Sequence, residues 1–158
     1  MTAIGLRPAT SADSEYCFQL HKAAMGAYIT AVWGWDEQTQ RDLHTGAFNP
    51  DRWQIITTGG TKVGILHVEC RPTEIYLARI ELHPDHQGRG IGSRLIRTLL
   101  HQARQQGQDL TLDVLAVNQR AQTLYRRLGL HEISHHGEND IKIRMSTKPP
   151  QPGPIHRS

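Results

Sequence analysis

The chain has 158 residues, which suits one domain built around one hydrophobic core. Lys and Arg number 18 against 15 Asp and Glu, and this mild positive charge, with no long basic block, does not indicate a nucleic-acid binder. No apolar run approaches the roughly 18 residues of a membrane span, and no signal-peptide core opens the chain, so no membrane association and a cytoplasmic location are expected. The histidines lack a third ligand at recognisable spacing, so no metal site is predicted.

The first half of the chain predicts one strand, two helices and three further strands. Thr10 and Asp13 form a plausible capping box that begins the first helix, which is expected to end near Trp33-Gly34-Trp35. Asp36 is the expected N-cap of the second, shorter helix, which runs to about residue 48. The predicted strands are 3–8, 53–58, 62–70 and 74–82, and a Gly-Gly hairpin turn joins the second to the third.

The second half predicts a glycine loop, an amphipathic helix ended by Gly107, a strand over 110–114, a helix over 118–128 and a final hairpin. The order β-α-α-β-β-β-α-β-α-β-β predicts an α+β fold, with a sheet of about seven strands flanked by four helices. Residues 1–146 are expected to form one domain. Residues 147–158 form a proline-rich tail that is expected to stay extended and flexible.

The glycine loop is the most informative motif. Glycines at 88, 90 and 92 separate an apolar strand from the amphipathic helix, so unpaired N–H groups at the helix start form a site for a pyrophosphate. A Walker loop is excluded because no Gly-Lys-Ser or Gly-Lys-Thr occurs. A dinucleotide fingerprint is excluded because the third glycine comes one position early. The remaining pattern is Gln-x-x-Gly-x-Gly, with Gln87 at its start.

A second motif lies downstream. Strand 110–114 is followed by Asn118, Ala121, Leu124-Tyr125 and Leu128-Gly129-Leu130. In this order and at this distance, the two motifs resemble the signatures of the GNAT superfamily, the acetyl-CoA-dependent N-acetyltransferases. The resemblance covers residues 62–146 closely and 2–61 in general layout. It implies the GNAT fold and acetyl-CoA as co-substrate.

The resemblance implies a cofactor site along the strand, the glycine loop and the next helix. The strand before the loop would splay from its neighbour and pair with the pantetheine arm, and a backbone N–H near Leu82 or His83 would polarise the thioester. The expected cofactor-binding residues are Ile80, Leu82, His83, Gln87, Gly88, Arg89, Gly90, Ile91, Gly92, Ser93, Asn118 and Tyr125. Backbone N–H groups from about Gln87 to Ser93 would face the pyrophosphate. Asn118 would bond the pantetheine arm or cap the helix.

Tyr125 is the expected general acid, because the GNAT tyrosine at this position serves the leaving sulfur. Packing within a helical stripe is the alternative. Glu81 is the candidate base on the strand, with pairing to Arg79 as the structural alternative. The family position that often holds a glutamate or histidine holds Tyr76, a departure, and Asp113 stands where some relatives have a glutamate. Deprotonation through water is the default.

The acceptor is expected to be an amine. Tyr28, Trp33, Trp35 and Asp36 lie in the region that shapes the acceptor pocket in this fold, where ring faces and carboxylates would receive a cation. Packing of a helix corner is the alternative for the two tryptophans. The predicted function is acetyl transfer to a primary amine of a small molecule, by direct attack in a ternary complex. A protein or peptide acceptor, or a CoA-binding module without turnover, are the alternatives. Small enzymes of this kind are often homodimers.

Overall fold

The computed structural model describes residues 3–149, and its elements follow the predicted order. The strands are β1 (Ile4–Pro8), β2 (Trp53–Thr58), β3 (Thr61–Cys70), β4 (Glu74–Leu82), β5 (Asp109–Leu115), β6 (His131–His136) and β7 (Lys142–Ser146). The helices are α1 (Ser14–Trp33), α2 (Glu37–Ala47), α3 (Ile91–Gln105) and α4 (Gln119–Arg127). The predicted α+β class and element order are confirmed.

All seven strands form one sheet in the order β1-β2-β3-β4-β5-β7-β6. Every pair is antiparallel except β4 with β5, which is parallel. A parallel pair needs a crossover connection, and α3 supplies it. The loop at the start of α3 therefore lies at the carboxyl end of β4, beside the parallel pair.

The sheet has a hydrophobic core on each face. Neighbouring residues of β2 point to opposite faces: Ile55 belongs to the core that contains Leu20 of α1, and Ile56 belongs to the core that contains Leu100 of α3. Tyr125 of α4 belongs to the same core as α3. Helix α1 therefore covers one face, and α3 and α4 cover the other.

A β-bulge in β4 sets the face on which its last residues lie. His67 of β3 pairs with Arg79 and Val68 pairs with Leu77, so Ala78 has no partner on β3. Strict alternation from Leu77 would send Arg79 to the face of α3. The bulge instead brings Arg79 to the face of α1, where its guanidinium lies 4.7 Å from the centre of the Trp53 ring. Glu81, two residues later, shares that face.

The last described residues are attached to the sheet. Thr147 donates its N–H to Leu110 O at 3.1 Å, and its hydroxyl donates to Asp109 at 3.0 Å. The domain boundary at residue 146 stays a prediction, and residues 150–158 of the proline-rich tail lie outside the described residues. Between residues 3 and 149, none of the helices is both long and apolar enough to cross a membrane.

Candidate active site

The glycine loop leads from β4 into α3 through a short 3-10 turn at Pro84–His86. Gly90 is the N-cap of α3 and has a φ of 82°, in the left-handed region that glycine adopts without steric cost. A Cβ atom at Gly90 would have no heavy atom within 4 Å, so the space beside the loop is open. The first hydrogen bond of α3 is donated by Arg94 N to Gly90 O.

The loop presents a continuous run of free amide donors. Within residues 3–149, no backbone acceptor is found for any N–H from Gly88 to Ser93. The Gln87 N–H, expected to join this run, instead donates to Pro84 O at 3.3 Å. Successive N–H groups at the start of a 15-residue helix attract an anion through hydrogen bonding and the helix dipole. The run fits a diphosphate.

Strands β4 and β5 separate toward their carboxyl ends. Their pairing runs from Glu74 with Asp109 to Leu77 with Leu112 and then stops, although both strands continue. The carboxyl-terminal half of β4 therefore has a free edge facing β5. An extended ligand with its own amide groups can bind such an edge as an added strand.

The register with β3 shows which backbone groups occupy this free edge. His83 donates its N–H to Val63 O at 2.9 Å, so Leu82 and Gly64 form a non-hydrogen-bonded pair. The Leu82 N–H consequently points toward β5, and Ile80, two residues earlier, has the same orientation. Of the two N–H groups predicted to polarise a thioester, the one on Leu82 is free and the one on His83 is not.

A cavity of about 420 Å³ follows this edge and the loop. Helix α1 closes one side with Met25 and Tyr28, and α4 closes another with Ala121 and Tyr125. Ten of the twelve predicted cofactor-binding residues line it: Ile80, Leu82, Gln87, Gly88, Gly90, Ile91, Gly92, Ser93, Asn118 and Tyr125. His83 and Arg89 do not.

Two arginines that sequence reasoning did not select also line this cavity, Arg120 and Arg127. Arg120 Nη1 donates to Gln87 Oε1 at 3.1 Å, which places its guanidinium beside the glycine loop. Both lie on α4, two and nine residues after its N-cap Asn118. The helical period of α4 does not show which face of the helix meets the glycine loop, so the sequence alone did not identify these two arginines.

A second cavity, of about 310 Å³, adjoins the first on the side of α1. Leu77 and Val114 line it from the α3 face of the sheet, while Tyr76 and Asp113 line it from the α1 face. It therefore passes through the gap between β4 and β5. The residues shared by both cavities are Met25, Ile80, Glu81, Asn118 and Tyr125.

Tyr125 lies where the two cavities meet. Its side chain is 9% exposed, and no hydrogen bond to its hydroxyl is found among residues 3–149. Burial, helped by the charge of Glu81, raises the pKa of Tyr125 to about 12. The phenol therefore stays protonated at neutral pH and has a proton available for a group bound at the junction.

Asn118 caps α4, because its side-chain oxygen accepts from Ala121 N at 3.1 Å. The capping role expected for Asn118 is present, and the residue also lines both cavities. Gln122, one turn later, was not selected from the sequence. Its amide donates to the carbonyls of Leu115 and Ala116, which anchors α4 to the end of β5.

The acidic residues that line the second cavity are held in ion pairs. Glu81 Oε1 lies 3.4 Å from Arg79 Nη1, the pairing expected as the structural alternative, and its other oxygen contacts His21. Asp113 accepts from Tyr76 at 2.6 Å and from Arg144 at 3.1 Å. Burial favours a raised pKa for Asp113, but these donors and His136 outweigh it and lower the pKa to about 2.

The residues predicted to bind the acceptor are dispersed. Tyr28 lines the first cavity, on the cofactor side. Trp33 is 55% exposed at the end of α1, Trp35 Nε1 donates to Glu37 at 2.8 Å, and Asp36 caps α2 by accepting from Thr39 N at 2.9 Å. None of these last three lines either cavity, and their binding role stays a prediction without support from their positions.

One family of known proteins matches the part of the chain that contains most of this site. The model of the acetyltransferase (GNAT) family matches residues 16–130. The chain belongs to this family. The match includes most of α1, the glycine loop and α4, and of the residues that line the two cavities only Lys142 of β7 lies outside it.

Two curated relatives show how far the similarity to other GNAT proteins extends. The chain is 39% identical over 80 residues to the N-alpha-acetyltransferase RimI of Mycobacterium tuberculosis, covering 48% of this chain and 49% of that protein. It is 39% identical over 61 residues to a thialysine N-epsilon-acetyltransferase of Bos taurus, covering 38% and 36%. The chain thus spans about half or less of the length of these relatives.

Solved structures share the fold over nearly the whole chain. The PaiA N-acetyltransferase of Thermoplasma acidophilum, solved in complex with coenzyme A, has a TM-score of 0.73 at 14% identity, over 92% of this chain and 99% of that one. The ribosomal-protein-S18-alanine N-acetyltransferase of Escherichia coli has a TM-score of 0.65 at 19% identity, over 96% and 97%. In the described part of this GNAT chain, no cluster of three or more His, Cys, Asp or Glu side chains could hold a metal ion.

Proposed function

We propose that this GNAT protein is an acetyl-CoA-dependent N-acetyltransferase acting on a primary amine of a small molecule. One observation carries the proposal: the free amides of Gly88–Ser93 continue into the unpaired edge of β4, which ends beside Tyr125 at the junction of two cavities. Acetyl-CoA, which supplies the acetyl group as a thioester, has a diphosphate, an amide-containing arm and a reactive end in the same order.

The residues of the first cavity would hold the cofactor. The loop amides would bind the diphosphate, and Arg120 and Arg127 add positive charge on the facing helix. The free N–H and C=O of Ile80 would pair with the pantetheine arm, and the free N–H of Leu82 would bind the thioester oxygen. The PaiA structure in complex with coenzyme A supports this assignment.

The second cavity would receive the amine, and Tyr125 would act as the general acid. Its phenol is protonated at neutral pH and lines both cavities, so it can donate a proton to the leaving sulfur at their junction. Attack would then occur directly, with both substrates bound, because no Cys or Ser is among the described residues that line both cavities.

The size of the acceptor is the point on which the relatives differ. A cavity of about 310 Å³ that is bounded by both strands favours a small molecule, as does the similarity to a thialysine acetyltransferase. A peptide amine is the second candidate, favoured by the similarity to an N-alpha-acetyltransferase. A cytoplasmic location is proposed from the composition of the chain. A homodimer is proposed because small enzymes of this kind are often homodimers.

An amine panel with acetyl-CoA tests the proposed function. The panel contains amino acids, polyamines, aminoglycosides and peptides with free N-termini, and free thiol release and acceptor mass are measured. The expected result is acceptor-dependent thiol release with a mass gain of one acetyl group. Saturable binding of coenzyme A without release across the panel would leave a binding module, and the absence of binding in calorimetry would contradict the cofactor site itself.

A further inference from the structure

His21 of α1 forms a close pair with Glu81 of β4, sixty residues away in sequence. Its Nδ1 lies 2.6 Å from Glu81 Oε2. The His21 side chain is 20% exposed, the Glu81 side chain is 7% exposed, and both line the second cavity. Neither sequence motif selected His21, because both motifs lie outside helix α1.

The contact with Glu81 determines which nitrogen of the His21 imidazole carries the hydrogen. A carboxylate only accepts hydrogen bonds, so Nδ1 must carry the hydrogen that it shares with Glu81. In the neutral ring, Nε2 is then the unprotonated nitrogen with a free lone pair. No hydrogen bond to Nε2 is found within residues 3–149. Among the described residues this nitrogen is unpaired, and His21 lines the second cavity.

Arg79 completes the arrangement. Its Nη1 lies 3.3 Å from His21 Nδ1 and 3.4 Å from Glu81 Oε1. Because the Nδ1 hydrogen is directed at Glu81, Arg79 donates to the carboxylate and not to the ring. Glu81 is therefore held on both oxygens, and it in turn fixes the orientation and tautomer of His21.

The acids of the cavity are poor bases by comparison. Burial alone would raise the pKa of Glu81, but the hydrogen bond from His21 and the charge of Arg79 outweigh it and lower the pKa. Asp113 accepts from Tyr76, His136 and Arg144, which leaves its oxygens occupied. Nε2 of His21 is the basic atom with an open lone pair.

We infer that His21 is the general base that deprotonates the acceptor amine, with Glu81 and Arg79 as positioning residues. The inference rests on the proposed function and names the base of that same site. The amine nitrogen bonds to the acetyl carbon while the carbon–sulfur bond breaks, the nitrogen proton moves to His21 Nε2, and the Tyr125 hydroxyl gives its proton to sulfur. Release of the His21 proton to solvent and uptake of one by Tyr125 restore both groups.

The charged surroundings of His21 come from four elements. Arg79 and Glu81 contact it from β4, and His44 of α2 is close enough for the two rings to interact electrostatically. Asp113 of β5 and Lys142 of β7 line the same cavity. Because only unprotonated Nε2 accepts a proton, kcat/KM is expected to fall toward acidic pH and this fall is expected to depend on His21.

The experiment uses the acceptor found with the wild-type protein and three variants. His21→Asn retains an N–H that can donate to Glu81 but removes Nε2, and His21→Ala leaves room for added imidazole. His101→Gln, at an exposed position on α3 outside both cavities, is the control. Measurements are kcat/KM against pH, the Kd of coenzyme A by calorimetry, and thermal unfolding.

The expected result for His21→Asn is a loss of about 100-fold in kcat/KM, with the acidic fall of the profile abolished and the Kd of coenzyme A unchanged. Imidazole should restore part of the activity of His21→Ala. A His21→Asn profile that keeps its height and its acidic fall would overturn the inference while leaving the proposed function intact. A wild-type protein inactive across the amine panel would overturn both.

Discussion

Gln87 and Arg120, 33 residues apart in sequence, join the two motifs of the chain: Arg120 Nη1 donates to Gln87 Oε1 at 3.1 Å. The same Gln87 side chain donates through Nε2 to Leu82 O at 3.0 Å. One amide therefore ties the end of β4 and the start of α4 to the glycine loop. This gives the first residue of the Gln-x-x-Gly-x-Gly pattern a structural reason.

Replacing Gln87 should loosen the loop. Gln87→Ala removes both hydrogen bonds, so we expect a loss of about 1–2 kcal/mol in the free energy of unfolding and a Kd for coenzyme A raised about tenfold. Urea denaturation and calorimetry measure these quantities. Gln38→Ala, at an exposed site on α2 where the side chain contacts Asp42, should change neither. Unaltered coenzyme A affinity in Gln87→Ala would contradict a role in shaping the site.

Gly90→Asp should abolish cofactor binding. The substitution forces a side chain into a left-handed backbone and places a negative charge among the free amides, so we expect the Kd of coenzyme A to rise at least about 100-fold. Gly60→Asp is a matched control, because Gly60 also has a φ of 82° and open space but lies in the β2–β3 turn. Equal affinity losses in the two variants would attribute the effect to folding and not to the loop.

Tyr125→Phe should reduce turnover and spare binding. Removing the phenol proton leaves the sulfur without its acid, so kcat should fall about 100-fold while the Kd of coenzyme A stays within about twofold. Tyr16→Phe is the control, since its buried hydroxyl has no hydrogen-bond partner among residues 3–149 and lines neither cavity. Parallel losses of kcat and of coenzyme A affinity would reduce Tyr125 to a packing role.

The ionisation of Tyr125 adds a pH prediction. Its pKa, raised to about 12 by burial, keeps the acid form present throughout the alkaline range used in assays. We therefore expect no loss of kcat from Tyr125 between about pH 8 and 10, which a pH series on the wild-type protein measures. An alkaline fall of kcat in that range that disappears in Tyr125→Phe would contradict this assignment.

Asp13 should link stability to pH. Its buried carboxylate accepts from Arg7 at 2.9 Å, Thr10 N at 2.8 Å and Lys62 at 2.9 Å, joining β1 and β3 to the start of α1. These hydrogen bonds, of which the one from Arg7 has the largest effect, hold the pKa of Asp13 well below its usual range in the folded state. Since the unfolded chain binds the proton more readily, this stabilisation is complete above about pH 4 and is lost as the pH falls.

Asp13→Asn tests this linkage by urea denaturation at several pH values. At neutral pH we expect a loss of about 2 kcal/mol in the free energy of unfolding, with the difference from wild type shrinking below about pH 4. Asp51→Asn, at an exposed site, should leave stability unchanged. If the difference in the free energy of unfolding between the wild type and Asp13→Asn stayed constant down to pH 2, Asp13 would act through its shape and not its charge.

Much of the fold follows from local signals. Strand β2 begins and ends where predicted, at Trp53 and Thr58, because an apolar run is bounded by a Pro-Asp break and a Gly-Gly turn. Asp36 and Asn118 cap helices as predicted because their carboxylate and amide oxygens accept from N–H groups three residues ahead. Such signals act over a few residues, so the chain alone contains them.

The candidate site was predictable where it consists of backbone. The glycine spacing located the loop amides, and the second motif located Tyr125, since both depend on local conformation. Side chains were harder. Arg120 and Arg127 were missed, and Trp35 contacts Glu37 and Phe18 instead of a cavity, because helix packing decides which face each presents.

By itself, the sequence determined the element order, the loop of free amides and the tyrosine of the second motif, all of which arise from spacings within single elements and turns. Only the tertiary structure decided which acid faces which base. The unpaired Ala78 turns Arg79 and Glu81 toward α1, where Glu81 meets His21. A bulge leaves no periodic signal in the sequence, and a contact across sixty residues depends on how the sheet and the helix pack. Neither can therefore be predicted from the residues that adjoin it in sequence.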